Sequence, residues 1–168
     1  MGKYDVLVVL GSASDRDTMS PTWETLRQLG ITFRVVVASA HRTPDRTRRI
    51  VDEAERDGAR VIIAGAGAAA HLPGVIAAET LLPVIGVPID SSPLKGVDSL
   101  LSIVQMPPGI PVATVGVGKM GAKNAAYLAA SILALTDKKV LQNLEKLRSE
   151  MAEKVERDSR KLEEELNS

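Results

Sequence analysis

Residues 35–45 read VVVASAHRTPD, and this stretch decides the fold. Its three valines predict a buried strand, and Pro44 suits the first turn of a helix, where a missing backbone N–H costs nothing. His41 would then lie on the loop that leaves the carboxyl end of the strand. Open α/β sheets place their ligand crevices at such loops.

The same strand-to-helix pattern recurs along the chain. Short apolar runs predict five strands, at residues 6–10, 33–38, 60–64, 84–87 and 112–115. Segments of helical length lie between them, at residues 15–30, 44–58, 69–81 and 94–104. Because the strands are continuously apolar, both faces of the sheet are expected to be covered. The sequence therefore predicts a parallel, flavodoxin-like sheet in a three-layer α/β/α sandwich, spanning residues 1–136.

The end of the chain has a different pattern. From about Gly121 it is expected to be helical, with an interruption near Thr136 and Asp137. Apolar residues then recur every three or four positions, at Leu141, Leu144, Leu147, Met151 and Val155. A helix of about 30 residues is about 45 Å long, more than a domain of this size covers on one side. We expect residues 137–168 to form an arm that packs on a neighbouring subunit; the alternative is a helix folded back on its own core.

Composition excludes several classes of site. The chain of 168 residues has no cysteine, which excludes disulfides, thiolate nucleophiles and zinc-thiolate sites. Its two histidines are far apart in sequence, so a histidine-rich metal site is not expected. Lys+Arg and Asp+Glu balance at 21 each, which gives no sign of a nucleic-acid partner. The sequence has neither an apolar signal region nor a membrane-spanning run, so a cytoplasmic protein with no membrane contact is expected.

Polar or glycine-rich loops follow the first four predicted strands, at one edge of the sheet. After the first strand, the hydroxyls and free helix N–H groups of residues 11–15 can cradle an anion. The alternative is helix capping by Ser12, Ser14 or Asp15. Four such loops at one edge predict a ligand site there.

Two of these loops carry the histidines. His41 can exchange a proton near neutral pH, and Arg42 beside it can hold a phosphate or carboxylate; the alternative is a histidine on a solvated surface. His71 follows the small residues 64–70, which leave room for a ligand. It is a candidate catalytic residue, or a positioning or packing residue among small apolar neighbours.

Five motifs in these loops and beyond them form a specific combination. They are Gly11-Ser12-x-Ser14-Asp15, Ser39-Ala40-His41-Arg42-Thr43-Pro44, Ala64-Gly65-Ala66-Gly67, Ala70-His71-Leu72-Pro73-Gly74 and Ser102-Ile103-Val104-Gln105-Met106-Pro107. In order and spacing, the combination resembles the N5-carboxyaminoimidazole ribonucleotide mutase family of purine biosynthesis. That resemblance implies a flavodoxin-like homo-octamer with no cofactor and no metal. The implied reaction is an isomerisation that moves a carboxylate from N5 of aminoimidazole ribonucleotide to C4 of its ring.

The resemblance also implies roles for single residues. The family's acid/base histidine corresponds to His41, and its phosphate- and ribose-binding positions correspond to Ser12, Asp15 and Arg42. Ser14 and Ser39 are weaker candidates for the same nucleotide pocket. The loop that closes over the imidazole and the migrating carbon dioxide corresponds to Gly67, His71 and Leu72.

Two other functions remain as alternatives. One is a carboxylase that uses carbon dioxide and aminoimidazole ribonucleotide directly; that form of the family has a more polar loop in place of residues 71–73. The mutase form usually has a glycine where this chain has Ala68, and alanine would cost about 1 kcal/mol if φ were positive there. The other is a nucleotide-binding or receiver-like regulatory module, but Gly65 and Ala66 occupy the place of a receiver's phosphoacceptor aspartate.

Overall fold

The computed structural model describes residues 2–167 and has a five-stranded parallel sheet in the order β2-β1-β3-β4-β5. The strands are β1 (Val6–Leu10), β2 (Phe33–Val37), β3 (Val61–Gly67), β4 (Val84–Ile89) and β5 (Ala113–Thr114). The helices are α1 (Arg16–Gln28), α2 (Pro44–Arg56), α3 (Leu72–Glu79), α4 (Val97–Val104), α5 (Gly118–Ala134) and α6 (Lys138–Asn167). Met1 and Ser168, the outer ends of the predicted domain and arm, lie outside the described residues. The predicted three-layer, flavodoxin-like sandwich is confirmed.

Alternating residues of the strands feed two separate cores. Val6, Val8 and Leu10 of β1 pack towards α1 and α5, whereas Leu7 and Val9 pack towards α2, α3 and α4. The core on the α5 side is closed by small residues of that helix, including Ala122, Ala125, Ala126, Ala129 and Ala130, all completely buried. These alanines let α5 lie close to α1 and to the sheet.

The expectation that every strand is covered on both faces is wrong for the edge strand β2. It pairs with β1 only, and Val35 and Val37 are 40% and 43% exposed. Both side chains border an apolar groove beside α1 that is also lined by Trp23 and Phe33. The three valines therefore form a strand as predicted, but the strand is not buried.

Several boundaries differ from the predicted ones because of left-handed backbone. β3 continues to Gly67, and Ala68 and Ala70 then take positive φ values, so α3 begins at Leu72 rather than near residue 69. Lys95 and Gly96 also have positive φ, which delays α4 until Val97.

The C-terminal region consists of two helices, as predicted, separated by a cap. The Asp137 carboxylate accepts hydrogen bonds from the N–H groups of Lys139 and Val140, at 2.9 and 3.1 Å, and so begins α6. Val140 and Leu144 are buried in the core formed with α1 and α5. The alternative of a helix folded back on its own core therefore describes the beginning of α6.

Leu147 packs against the same core, and the contact ends there. Every residue from Arg148 to Asn167 is exposed, and the predicted stripe residues Met151 and Val155 are 44% and 66% exposed. None of the helices within residues 2–167 combines the length and apolar character needed to cross a membrane.

Candidate active site

A cavity of about 200 Å³ lies at the carboxyl ends of β1, β2, β3 and β4. The chain leaves β1 towards β2 and later returns on the other side of β1 to form β3, so β1 and β3 flank a topological switch point, where ligands bind in folds of this kind. All nine candidate residues from the sequence line this cavity, namely Ser12, Ser14, Asp15, Ser39, His41, Arg42, Gly67, His71 and Leu72.

The loop after β1 is held by a reciprocal cap. The Ser12 hydroxyl accepts a hydrogen bond from the Ser14 N–H (3.3 Å), and the Asp15 carboxylate accepts one from the Ser12 N–H (3.1 Å). Capping and cavity lining, posed as alternatives from the sequence, thus apply to the same residues. Asp15 is only 6% exposed, and its burial raises the pKa of the carboxyl, while hydrogen bonds from Ser12 and Ser14 act in the opposite direction.

The loop after β2 closes on itself and aims Arg42. Ser39 and Thr43 exchange hydrogen bonds, because the Ser39 N–H donates to the Thr43 hydroxyl (3.0 Å) and the Thr43 N–H donates to the Ser39 carbonyl (2.9 Å). The Ser39 hydroxyl accepts from the N–H and from Nε of Arg42, at 3.2 and 3.4 Å. This leaves the two terminal nitrogens of the guanidinium for a ligand, so Ser39 acts on the site through Arg42.

The loop after β3 turns sharply between Gly67 and His71. Ala68 and Ala70 have φ values of +53° and +37°, and the Ala70 N–H donates to the Gly67 carbonyl at 3.0 Å. The sequence analysis gave a cost for Ala68 only if its φ were positive, and φ is positive here. Left-handed backbone costs an alanine about 1–2 kcal/mol. The turn places His71 at the start of α3, at the mouth of the cavity.

The two histidines of the chain meet across this cavity. His41 Nε2 lies 2.6 Å from His71 Nδ1, and the rings are nearly perpendicular, at 84° with centroids 4.8 Å apart. Both residues are exposed, which leaves them accessible to an entering ligand. His71 is therefore in direct contact with His41, and its role as a catalytic, positioning or packing residue stays a prediction.

One wall of the cavity is apolar. Ala66, Ala70 and Leu72 line it and are 5%, 4% and 3% exposed. Ala69, one of the small residues 64–70 that the sequence places near the ligand, is exposed and lies outside the lining. The reason is the left-handed turn, which directs the two neighbours of Ala69 rather than Ala69 itself towards the cavity.

Sequence reasoning missed Ser91 as a site residue. Ser91 follows β4 and lines the cavity. A Cβ atom on Gly67 would collide with its hydroxyl, so glycine at this position lets the loop after β4 close over the end of β3. The polar run directly after an apolar strand was the available signal, but it does not indicate which of its residues turns inward.

The cavity therefore combines an anion-binding side and a dry side. Arg42 and the capped loop of Ser12 suit a phosphate, Asp15 can accept hydrogen bonds from hydroxyl groups, and the two imidazoles can carry protons. Ala66 and Leu72 offer a surface for an apolar group next to these polar side chains.

Comparison with known proteins agrees with this arrangement. Residues 5–154 match the family model described as AIR carboxylase. N5-carboxyaminoimidazole ribonucleotide mutase of Pseudomonas aeruginosa is 56% identical over 88% of this chain and 91% of its own length. The Escherichia coli K12 enzyme of that name is 55% identical over 89% of both chains. The crystal structure of Treponema denticola PurE superposes with a TM-score of 0.85 at 30% identity and covers 94% of this chain and 97% of that one. This chain belongs to the AIR carboxylase family.

Proposed function

We propose that this chain is an N5-carboxyaminoimidazole ribonucleotide mutase, an isomerase of purine biosynthesis that moves a carboxylate from N5 to C4 of the aminoimidazole ring. The observation that carries this proposal is the convergence of an anion-binding arginine, a histidine and an apolar wall on one cavity. Relatives of that name, which align along most of this chain, support the assignment of the reaction.

The nucleotide end of the substrate is held at the loops after β1 and β2. The free nitrogens of Arg42 and the Ser12 loop bind the phosphate, because charge-assisted hydrogen bonds to phosphate are strong and directional. Asp15 accepts hydrogen bonds from the ribose hydroxyls. Ser39 fixes Arg42 through the two hydrogen bonds described above, and Ser14 supports Ser12 through a hydroxyl contact of 2.8 Å.

His41 carries the proton transfers. The bond between N5 and the carboxylate carbon breaks, carbon dioxide leaves, and protonated His41 supplies the proton that N5 takes up. The C4 carbon, which is the nucleophilic carbon of an enamine, then forms a bond to the trapped carbon dioxide. His41 removes the C4 proton and restores the aromatic ring, so it ends the cycle in the protonation state in which it began.

The dry wall keeps the carbon dioxide in place between the two steps. This wall consists of the buried residues Ala66, Ala70 and Leu72. Their side chains have no charge and no strong hydrogen-bond donor that would favour a free carboxylate or bicarbonate. Gly67, His71 and Leu72 form the loop that closes over the ring and the migrating carbon. Positioning and exclusion of water thus do most of the work, with one proton carrier.

The direct carboxylase is the competing reaction, and the same His41 would serve it. The names of the relatives at 50–56% identity favour the mutase. The His71-Leu72-Pro73 sequence of this loop supports the same choice, since the carboxylase form has different and more polar residues there.

A labelled substrate separates the two reactions. The purified protein is incubated with N5-carboxyaminoimidazole ribonucleotide that carries ¹³C in its carboxylate, with little unlabelled bicarbonate present. We expect the C4-carboxylated product to form and to keep the label, and the His41→Asn variant to be the matched inactive control. Turnover of aminoimidazole ribonucleotide with bicarbonate, without turnover of the N5-carboxylated compound, would establish the carboxylase instead.

We also propose that the protein works in the cytoplasm as a homo-octamer in which the exposed part of α6 packs on a neighbouring subunit. The support is the apolar stripe of α6, which continues beyond Met151 and Val155 to Leu162 and Leu166 and is exposed at all four residues. The groove beside β2, which has Arg16 and Arg27 at its border, is an apolar surface on which such a stripe from a neighbouring subunit can pack.

A further inference from the structure

The contact between the two histidines constrains where protons can be. Nε2 of His41 and Nδ1 of His71 are 2.6 Å apart, the distance of a short hydrogen bond. Such a bond needs one N–H and one lone pair on the line between the nitrogens, because two N–H groups or two lone pairs would repel each other. One of the rings must therefore donate and the other accept.

Both histidines lie on loops whose backbones are held by hydrogen bonds within the loop or to the following helix. His41 lies inside the loop closed by the hydrogen bonds between Ser39 and Thr43. His71 follows the left-handed turn, and its carbonyl accepts a hydrogen bond from the Val75 N–H at 2.9 Å. The next residue, Leu72, is buried. The contact is thus set by the framework of the cavity and not by two freely moving side chains.

In this cavity the hydrogen-bonding partner of the His41 ring is a second imidazole, that of His71. Catalytic imidazoles are commonly oriented by a carboxylate or a carbonyl on the nitrogen that does not react. Within residues 2–167, no side-chain carboxylate or backbone carbonyl forms a hydrogen bond to either ring, and the other charged groups of the cavity lining are Asp15 and Arg42. His71 is therefore the group that can orient His41.

We infer that His71 is a positioning residue that accepts a hydrogen bond from His41 Nε2–H and so makes Nδ1 the reacting nitrogen of His41. This inference rests on the proposed function, since it assigns an atom to its proton transfers. Nδ1 gives its proton to N5 of the substrate when the first carbon–nitrogen bond breaks, and it takes the C4 proton after the new carbon–carbon bond has formed. The Nε2 proton stays on the bond to His71 throughout, and the pair begins and ends the cycle with the same number of protons.

A matched pair of substitutions tests this role. Asparagine and leucine have nearly the same shape, but only asparagine places an acceptor oxygen close to the position of Nδ1. The His71 side chain makes no capping hydrogen bond to α3 and is exposed, so neither change removes a contact on which the fold depends. We expect His71→Leu to lower kcat by about 10–100-fold, as loss of an orienting partner does elsewhere, with little change in KM. His71→Asn should keep most of the turnover and the wild-type pH profile.

A spectroscopic measurement gives the same answer without activity. Because the chain has two histidines, ¹⁵N-histidine labelling yields the signals of these two rings alone, and the His71→Leu variant identifies His41. Neutral His41 should carry its proton on Nε2 in the wild type and in His71→Asn, and should become a mixture of tautomers in His71→Leu.

The outcomes separate this inference from the proposed function. A neutral His41 with its proton on Nδ1, or a His71→Leu enzyme with wild-type kcat and pH profile, overturns the inference. If the expected tautomers are observed but the wild-type protein does not convert the labelled substrate, the assigned reaction fails while the pairing of the histidines stands.

Discussion

The carboxyl edge of the sheet and the outer part of α6 differ in where their partners lie. At the edge, each loop is fixed by groups of the same chain, such as the cap between Ser12 and Asp15 and the contact between His41 and His71. Residues 148–167 have an equally regular pattern, but all of them are exposed. A sequence pattern thus locates a site when the chain itself supplies the partners, and it indicates only an uncovered surface when the chain does not.

The largest effect is expected from removing that uncovered surface. A chain that ends at Arg148 keeps Val140 and Leu144 in the core but loses Met151, Val155, Leu162 and Leu166. Each such side chain contributes about 1.5–3 kcal/mol when fully buried, so their joint loss should dissociate the proposed assembly. We expect a folded protein of smaller particle mass, measured by light scattering after size exclusion and by circular dichroism.

The control is a chain that ends at Glu156, which keeps Met151 and Val155 and removes Leu162 and Leu166 together with a segment in which seven of twelve residues are charged, so it tests whether the nearer half of the stripe suffices for the contact. It should retain the particle mass of the full chain. An unchanged mass for the chain ending at Arg148 would contradict a subunit contact through α6. A cut at Val140 is less informative, because it also removes Val140 and Leu144 from the core.

His41→Asn is expected to have the next largest effect, and it tests the self-contained region. The residue is exposed, so the variant should fold and assemble like the wild type. Loss of a general acid/base group lowers turnover by about 10²–10⁴-fold, and we expect kcat to fall within that range. Retention of more than about a tenth of the wild-type turnover would be too much for a residue with this role.

Arg42→Ala should weaken substrate binding more than it slows the chemistry. Hydrogen bonds to charged groups contribute about 1.5–3 kcal/mol, which corresponds to a rise of about 10–150-fold in KM. Ser39→Ala is the milder companion, because it removes the hydroxyl that aims Arg42 but keeps the charge. Substrate saturation curves measure both variants, and an unchanged curve for Arg42→Ala would mean that its guanidinium does not face the phosphate.

The same comparison explains what could be predicted from the sequence. The apolar runs and their flanking glycines predicted every strand, and the boundaries of β1 were reproduced, because strands buried within one chain are specified by local patterning. All nine candidate residues line one cavity, since parallel strands bring the loops at their carboxyl ends together.

Features that depend on long-range contacts were not predictable. The exposure of Val35 and Val37 depends on which strand lies at the sheet edge, and the burial of Leu144 depends on where α6 folds back. The approach of His41 to His71 depends on two turns 30 residues apart in sequence. Neither the edge position nor the left-handed turn at Ala68 has a signal in apolar periodicity.

The smallest effect is expected inside the turn that carries His71. Ala68 has a positive φ, so Ala68→Gly should relieve about 1–2 kcal/mol of backbone strain, partly offset by about 0.4–1 kcal/mol from the greater freedom of glycine in the unfolded chain. A net gain in unfolding free energy of up to about 1.6 kcal/mol should result, measured by denaturant titration. The adjacent Ala69 is exposed and does not have a positive φ, so Ala69→Gly carries only the unfolded-state cost and should lose about 0.4–1 kcal/mol. Opposite signs at two neighbouring alanines would establish that the turn is strained by its own backbone, whereas a loss of stability at both would show that the surrounding loop relaxes to accommodate Ala68.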